Sequence, residues 1–139
     1  MYNIKILMVY LEEFKKELQE DTKIDQINLL EKQMMLPAIK HKWVARLIDQ
    51  KRKLNALERK KKAIRAGVLE TLEKKGLPTG LPKSALDKKI DGSEEILKIV
   101  EEIEDTEIMI EYFEKIEGIF RSMTYDMKNI IEINKLETT

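Results

Sequence analysis

Cysteine is absent from the 139 residues, which removes disulfides, thiolate nucleophiles and cysteine metal sites at once and fits a reducing compartment. There is one histidine, His41, in a lysine-rich setting without a partner base or nucleophile. A helical di-iron site needs two Glu-x-x-His pairs, and the sequence contains none. With only five glycines and three prolines, no phosphate-loop or dinucleotide pattern is present. The acidic runs lack the ligand spacing of an EF-hand. No apolar stretch approaches the roughly 20 residues of a membrane span, and the early run Ile6 to Leu11 is too short for a secretory signal and meets Glu12 and Glu13 directly. The expectation is a soluble cytoplasmic chain that is not an enzyme, uses no cofactor or metal, and has no membrane partner.

Aromatic residues make up only 6% of the chain while charged residues reach 37%, against roughly 25% in an ordinary globular protein. The hydrophobic fraction of 42% still suffices for a core. Such a Glu-, Lys-, Ile- and Leu-rich composition predicts long helices with wide solvated faces, in one all-α domain spanning residues 1–139. Long helices bury less surface than a globule of equal length, so homo-oligomerisation is expected.

The most unusual stretch is basic. From Lys40 to Arg65 eleven cations face only Asp49 and Glu58, a local net charge of +9 in a chain whose formal charge is zero. An apolar seam runs through the same residues: Leu47, Leu54, Leu57, Ile64, Val68 and Leu72 recur at 7, 3, 7, 4 and 4. That spacing suits packing against another long helix. Arg52 and Arg59 fall opposite the seam; Lys51, Lys53, Lys60, Lys62 and Arg65 fall on its flanks, and Lys61 interrupts it.

Around this arm the periodicity predicts an N-terminal helix over residues 4–20, with Leu7, Leu11, Phe14 and Leu18 on one stripe. Asp25 can cap the next helix. Residues 26–75 form the basic arm with a break near 37, read as a short helix to Leu36 and Pro37 in the first turn of the long one; a single kinked helix is the alternative. Residues 76–93 read as a connector, either extended or with a short helix around Ser84 to Lys89. Ser93 then serves as N-cap for an acidic helix over residues 94–136. Its apolar stripe is Ile96, Ile99, Ile103, Ile110, Phe113, Ile116, Phe120, Met123, Met127 and Ile130. Ten acids against Lys98 and Lys115 give its first half a net charge of −8. The expected architecture is a helical hairpin of two long, oppositely charged helices plus shorter N-terminal helices, paired antiparallel.

Exposed cations on a braced helix can neutralise phosphates, release counterions and bind nucleic acid with a steep salt dependence. The candidate DNA-binding residues are Lys51, Arg52, Lys53, Arg59, Lys60, Lys61, Lys62 and Arg65. Single-strand binders usually add aromatic stacking platforms, but Trp43 lies on the apolar side and is assigned to the core. Composition alone leaves two readings open: a phosphate-binding face, or a solvated face balanced by the acidic helix.

The stretches LEEFKKELQEDTKID (Leu11 to Asp25), KHKW ending at Trp43, the basic run closing at KKG (Lys74 to Gly76) and SEEILKIVEEIEDTEIMIEYFEKIEGIFRSMTYDMKNI (Ser93 to Ile130) together resemble the UvsY family, the recombination mediator proteins of T-even-like bacteriophages. The resemblance implies a non-enzymatic homo-oligomeric ring that binds single-stranded DNA. It also implies two protein partners, a RecA-like recombinase and the single-strand-binding protein covering the DNA onto which that recombinase is loaded. A short Lys/Arg motif late in the family's basic helix contacts DNA. The ungapped counterparts here, Ala66 and Val68, are not basic, and the charge sits one to two turns earlier, at Arg59 to Arg65. The alternative function is a helical assembly module that binds only protein.

Overall fold

The computed structural model describes residues 4–76 and 80–138. Helix α1 spans Ile4–Thr22, α2 Leu29–Lys74, α3 Lys83–Asp91 and α4 Glu94–Thr138, so the fold is all-α. The 46-residue α2 and 45-residue α4 are each ~70 Å long at 1.5 Å per residue. They pack antiparallel: Trp43 meets Phe113, while Leu57, further along α2, shares a cluster with Ile96, Ile99 and Ile103.

Local chemistry sets the helix ends. After α1, Asp25 and Asn28 bond reciprocally. The Asp25 Oδ1 accepts from the backbone N–H of Ile27 and Asn28, and the Asn28 Oδ1 accepts from the N–H of Asp25, each at 2.8 Å. This reciprocal pair closes the turn that precedes α2; the residue at the N-cap is Asn28 rather than the expected Asp25, and its side chain makes no bond to the first turn of the helix. Lys32 Nζ closes the preceding helix by donating to the Glu20 carbonyl at 2.6 Å. At the far end of α2, Gly76 takes φ of +77°, and its N–H returns to the Glu73 carbonyl at 3.2 Å.

Two further sequence expectations need correction. Pro37 does not separate two helices, because α2 runs through it unbroken. A mid-helix proline costs about 3 kcal/mol. The flanking inner face buries Leu29, Leu36, Ile39 and Trp43, each contributing about 1.5–3 kcal/mol on burial. Pro37 itself is exposed, so packing outweighs the local rule. Ser93, expected as the N-cap of α4, instead turns its hydroxyl to the Ile90 carbonyl at 2.7 Å. Its own carbonyl accepts from the Leu97 N–H at the start of α4. The connector contains α3, one of the two conformations the sequence left open.

The core divides into two clusters along the hairpin. The first joins Leu18 of α1, Leu29, Leu36, Ile39 and Trp43 of α2, and Met109, Phe113, Ile116, Phe120, Met123 and Met127 of α4. Phe14 meets Trp43 and Phe113 edge-on, with ring centroids 6.0 and 5.2 Å apart. The second joins Leu57 of α2, Ile90 of α3, and Ile96, Ile99 and Ile103 of α4, with Leu54, Ile64, Val68, Leu72 and Leu86 at its edge. The predicted α4 stripe is buried from Ile96 to Met127, and Ile130 is half-buried. Thr106, absent from that stripe, is also buried and satisfies its hydroxyl on the Glu102 carbonyl at 2.8 Å. Thus α1 covers one end of the hairpin and α3 the other, leaving the middle of α2 with an open outer face.

Candidate nucleic-acid interface

The eleven cations of Lys40 to Arg65 fall into two groups, sorted by what lies opposite them. At the α1 end they are consumed. Arg46 donates to both oxygens of Glu17 at 2.7 and 3.1 Å, and its guanidinium lies over the rings of Trp43 and Phe14 at 4.8 and 5.2 Å. Lys42 bridges Glu17 and Asp21 at 3.0 and 2.6 Å. The Trp43 indole N–H donates to the same Asp21 oxygen at 2.9 Å. Lys40 donates to Thr124 at 3.3 Å.

These are i, i+4 carboxylates on α1 meeting i, i+4 cations on α2, a matching that pins the two helices together. The Arg46 hydrogen bonds outweigh burial and hold the Glu17 carboxyl below its ordinary value. Burial works against the Lys42 charge, but the Asp21 and Glu17 hydrogen bonds win and raise its pKa. Trp43, only 3% exposed, is core and cannot stack on a base.

Beyond Leu47 the pattern changes. Among the described residues, Arg52, Arg59, Lys60, Lys61 and Lys62 have no ion pair. All are exposed except Lys61, which is half-buried beside the seam. Arg52, Arg59 and Lys62 follow at intervals of 7 and 3, one face of the helix, with Lys60 on the flank. The remaining candidates are partly occupied. Lys51 meets Glu114 at 3.6 Å with both side chains more than half exposed, a contact worth about 0–1 kcal/mol. Lys53 lines a shallow recess with Gln50, Glu102 and Asp105. Arg65 reaches across to α3, where it bonds Asp87 at 2.7 Å and also Asp91. The latter two acids are the partners the sequence reading missed; their i, i+4 spacing inside the connector was the available signal.

The acidic helix does not cover the basic one. Glu111 and Glu117 pair within α4, with Lys115 and Arg121, at 3.2 Å each. Asp105, which lines the same recess as Lys53, has one buried oxygen with no hydrogen-bond partner among the described residues. Its burial, and then the neighbouring Glu101 and Glu104 charges, raise its pKa above the ordinary value, and Lys53 offsets them only in part. Apart from the exposed Lys51–Glu114 contact, what joins the two helices is the apolar seam.

The same outer face of α2 that carries Arg52 and Arg59 is apolar nearer the N-terminus. Ile27, just before the helix, is 97% exposed, and Leu30, Met34, Val44 and Ile48 range from 46% to 75%. Val44 also borders a groove between α2 and α4 lined by Trp43, Leu47, Phe113, Ile116 and Phe120. One continuous helix face therefore passes from apolar to cationic within a few turns. His41 is exposed, no group of side chains that could hold a metal occurs among the described residues, and none of their helices is long and apolar enough to cross a membrane.

Comparison with known proteins converges on one family. A family model described as the recombination, repair and ssDNA binding protein UvsY matches residues 17–139. No curated protein matches the sequence. Crystal structures of the bacteriophage T4 recombination mediator protein UvsY share the fold. The lattice type IV form is 17% identical with a TM-score of 0.79, covering 91% of this chain and 98% of that one. The lattice type II form is 18% identical with a TM-score of 0.77, covering 93% and 98%. The lattice type I form is 18% identical with a TM-score of 0.78, covering 90% and 98%.

Proposed function

The chain belongs to the UvsY family, and from that premise we propose that it is a single-stranded-DNA-binding recombination mediator, acting by binding rather than catalysis. It helps load a RecA-like recombinase onto DNA covered by single-strand-binding protein, in the cytoplasm of an infected host. The observation that carries this reading is the row Arg52, Arg59, Lys60 and Lys62. These cations are exposed and without ion pairs among the described residues, on a helix held rigid by the seam behind them.

Contacts of this kind go to the phosphate backbone, so binding has little sequence preference and weakens steeply with salt. Assembly as a homo-oligomeric ring multiplies the row and turns weak contacts into avidity. The exposed stripe Ile27, Leu30, Met34, Val44 and Ile48 supports such assembly, because an apolar patch of this extent on a soluble chain marks an interaction surface. A strand wrapped on the repeated row is strained away from its covering protein and presented to the recombinase.

Titration of a labelled single-stranded oligonucleotide at several salt concentrations tests the reading. Binding at low salt is expected to fall with a steep log–log slope, and to be lost on replacing Lys60, Lys61 and Lys62 by Ala. Unchanged binding in that variant, or none in the wild type, overturns it. The same apolar stripe supports a second reading, an assembly module that binds only protein; this predicts a large mass by light scattering and no DNA binding at any salt concentration.

A further inference from the structure

Within the Arg59 to Arg65 cluster, Arg65 is the cation that, among the described residues, the fold itself pairs with acids. It follows Lys61 and Lys62 by four and three residues, hence on their side of α2. Arg59, Lys61, Lys62 and Arg65 line one shallow groove with Asn55 and Glu58. From α3, Asp87 and Asp91, one turn apart, each bond a different guanidinium nitrogen of Arg65, which lines that groove. Two carboxylates on the two arms of a guanidinium occupy the donors that a phosphate group would take in the same fork geometry.

We propose that Arg65 is a phosphate subsite of the cationic row that α3 holds closed: Asp87 and Asp91 occupy it in the free protein, and the backbone of a bound single strand displaces them. This rests on the reading of the row as a DNA-binding face and assigns it a built-in competitor.

Three observations make the exchange feasible. The pairs are shallow, with side-chain exposures of 34% for Arg65, 42% for Asp87 and 55% for Asp91, so water and a competing anion reach them. The docking of α3 does not depend on them, since Ile90 is 3% exposed and packs with Leu86 into the second core cluster. Releasing Arg65 therefore needs only a side-chain rotation. The contrast with Arg46 is instructive, because that guanidinium also lies over the rings of Phe14 and Trp43, contacts that Arg65 does not have to give up.

The test is a double-mutant cycle on oligothymidylate titrated over a salt series, using the full chain with helicity checked by circular dichroism. Asp87→Asn with Asp91→Asn is expected to tighten binding on the order of fivefold at 0.1 M salt and to steepen the log–log slope by about 0.7, the signature of one additional phosphate contact. Adding Arg65→Gln should abolish that gain, whereas Arg65→Gln in the wild-type background should cost less than it does in the double variant. A gain that survives Arg65→Gln reflects general loss of negative charge and overturns the proposal, as does an equal Arg65→Gln effect in both backgrounds. A wild-type chain that does not bind oligothymidylate removes the DNA-binding reading and the subsite together; binding without the coupling removes the subsite alone.

Discussion

Before Leu47, the cations of α2 are drawn inward, with Lys42 and Arg46 bonded to Glu17 and Asp21 of α1 and Arg46 stacked on two aromatic rings. Beyond Ile48, Arg52, Arg59 and Lys60 to Lys62 have no such partner among the described residues. The helix is the same, and so is the residue type; only the neighbour differs. Where a third helix lies across the hairpin, cations act as cross-links. Where none does, the seam alone holds the helix and its charge is left for something outside the chain. A local net charge of +9 is therefore an upper bound on what a partner can use, and the fold selects the usable part.

Substitutions in the two halves should separate these roles. Trp43→Ala removes the aromatic centre of the first cluster and the indole bond to Asp21. It should destabilise by about 3–5 kcal/mol, read as a large drop in Tm; a loss below 1 kcal/mol would place Trp43 outside the core. Replacing Arg52, Arg59, Lys60 and Lys62 together by Gln should do the reverse. Stability changes little, whereas affinity for single-stranded DNA falls on the order of a hundredfold at moderate salt and the slope flattens. If Lys42→Gln with Arg46→Gln reduces DNA affinity as much as that quadruple variant does, the division between the halves fails.

A third measurement reads the inward half by pH. The Arg46 hydrogen bonds hold the Glu17 carboxyl below its ordinary value of 4.5. A depressed carboxylate contributes stability that is fully present above its unfolded pKa and is lost as pH falls through the folded one. Lys42, raised above 10.5, keeps its contribution below that value and loses it only as pH rises beyond. Across neutral pH the network is therefore intact. Glu17→Gln should cost about 1 kcal/mol there, discounted because the side chain is 35% exposed. The variant and wild-type Tm curves should converge below pH 4.5. Curves that stay parallel down to pH 3 would mean that Glu17 holds nothing.

Much of this was readable from periodicity. The stripes of Leu7 to Leu18, Leu47 to Leu72 and Ile96 to Met127 are packing patterns that repeat within one element, and their partners follow once two such elements pair. The all-α hairpin came from the same signal, and its antiparallel sense from two helices of comparable length and opposite charge on either side of one connector. Pro37 misled because a local rule was weighed without the four buried side chains around it. Which cations remain available was not legible, because the partners of Lys42, Arg46 and Arg65 lie 21 to 29 residues away in sequence, as for Lys42 with Asp21 and Arg46 with Glu17. Only the folded arrangement brings those acids to those bases.

The smallest effect tests whether charge joins the two long helices anywhere beyond the exposed Lys51–Glu114 contact. Asp105 faces the Lys53 side of α2, the place where a cross-helix ion pair would be expected if the acidic helix neutralised the basic one. Yet one of its oxygens is buried without a hydrogen-bond donor among the described residues, and burial raises its pKa above the ordinary 3.8. A carboxyl raised in the fold is charged at neutral pH at a cost to stability, and that cost is relieved as pH falls through the folded pKa. Asp105→Asn removes the charge at constant shape and should stabilise by about 1 kcal/mol at pH 7, a gain that fades toward acid pH as the wild-type carboxyl protonates. A drop in Tm at pH 7 would instead mean that Lys53 and Asp105 are true partners, and that the outer cations of α2 are less free than the geometry makes them.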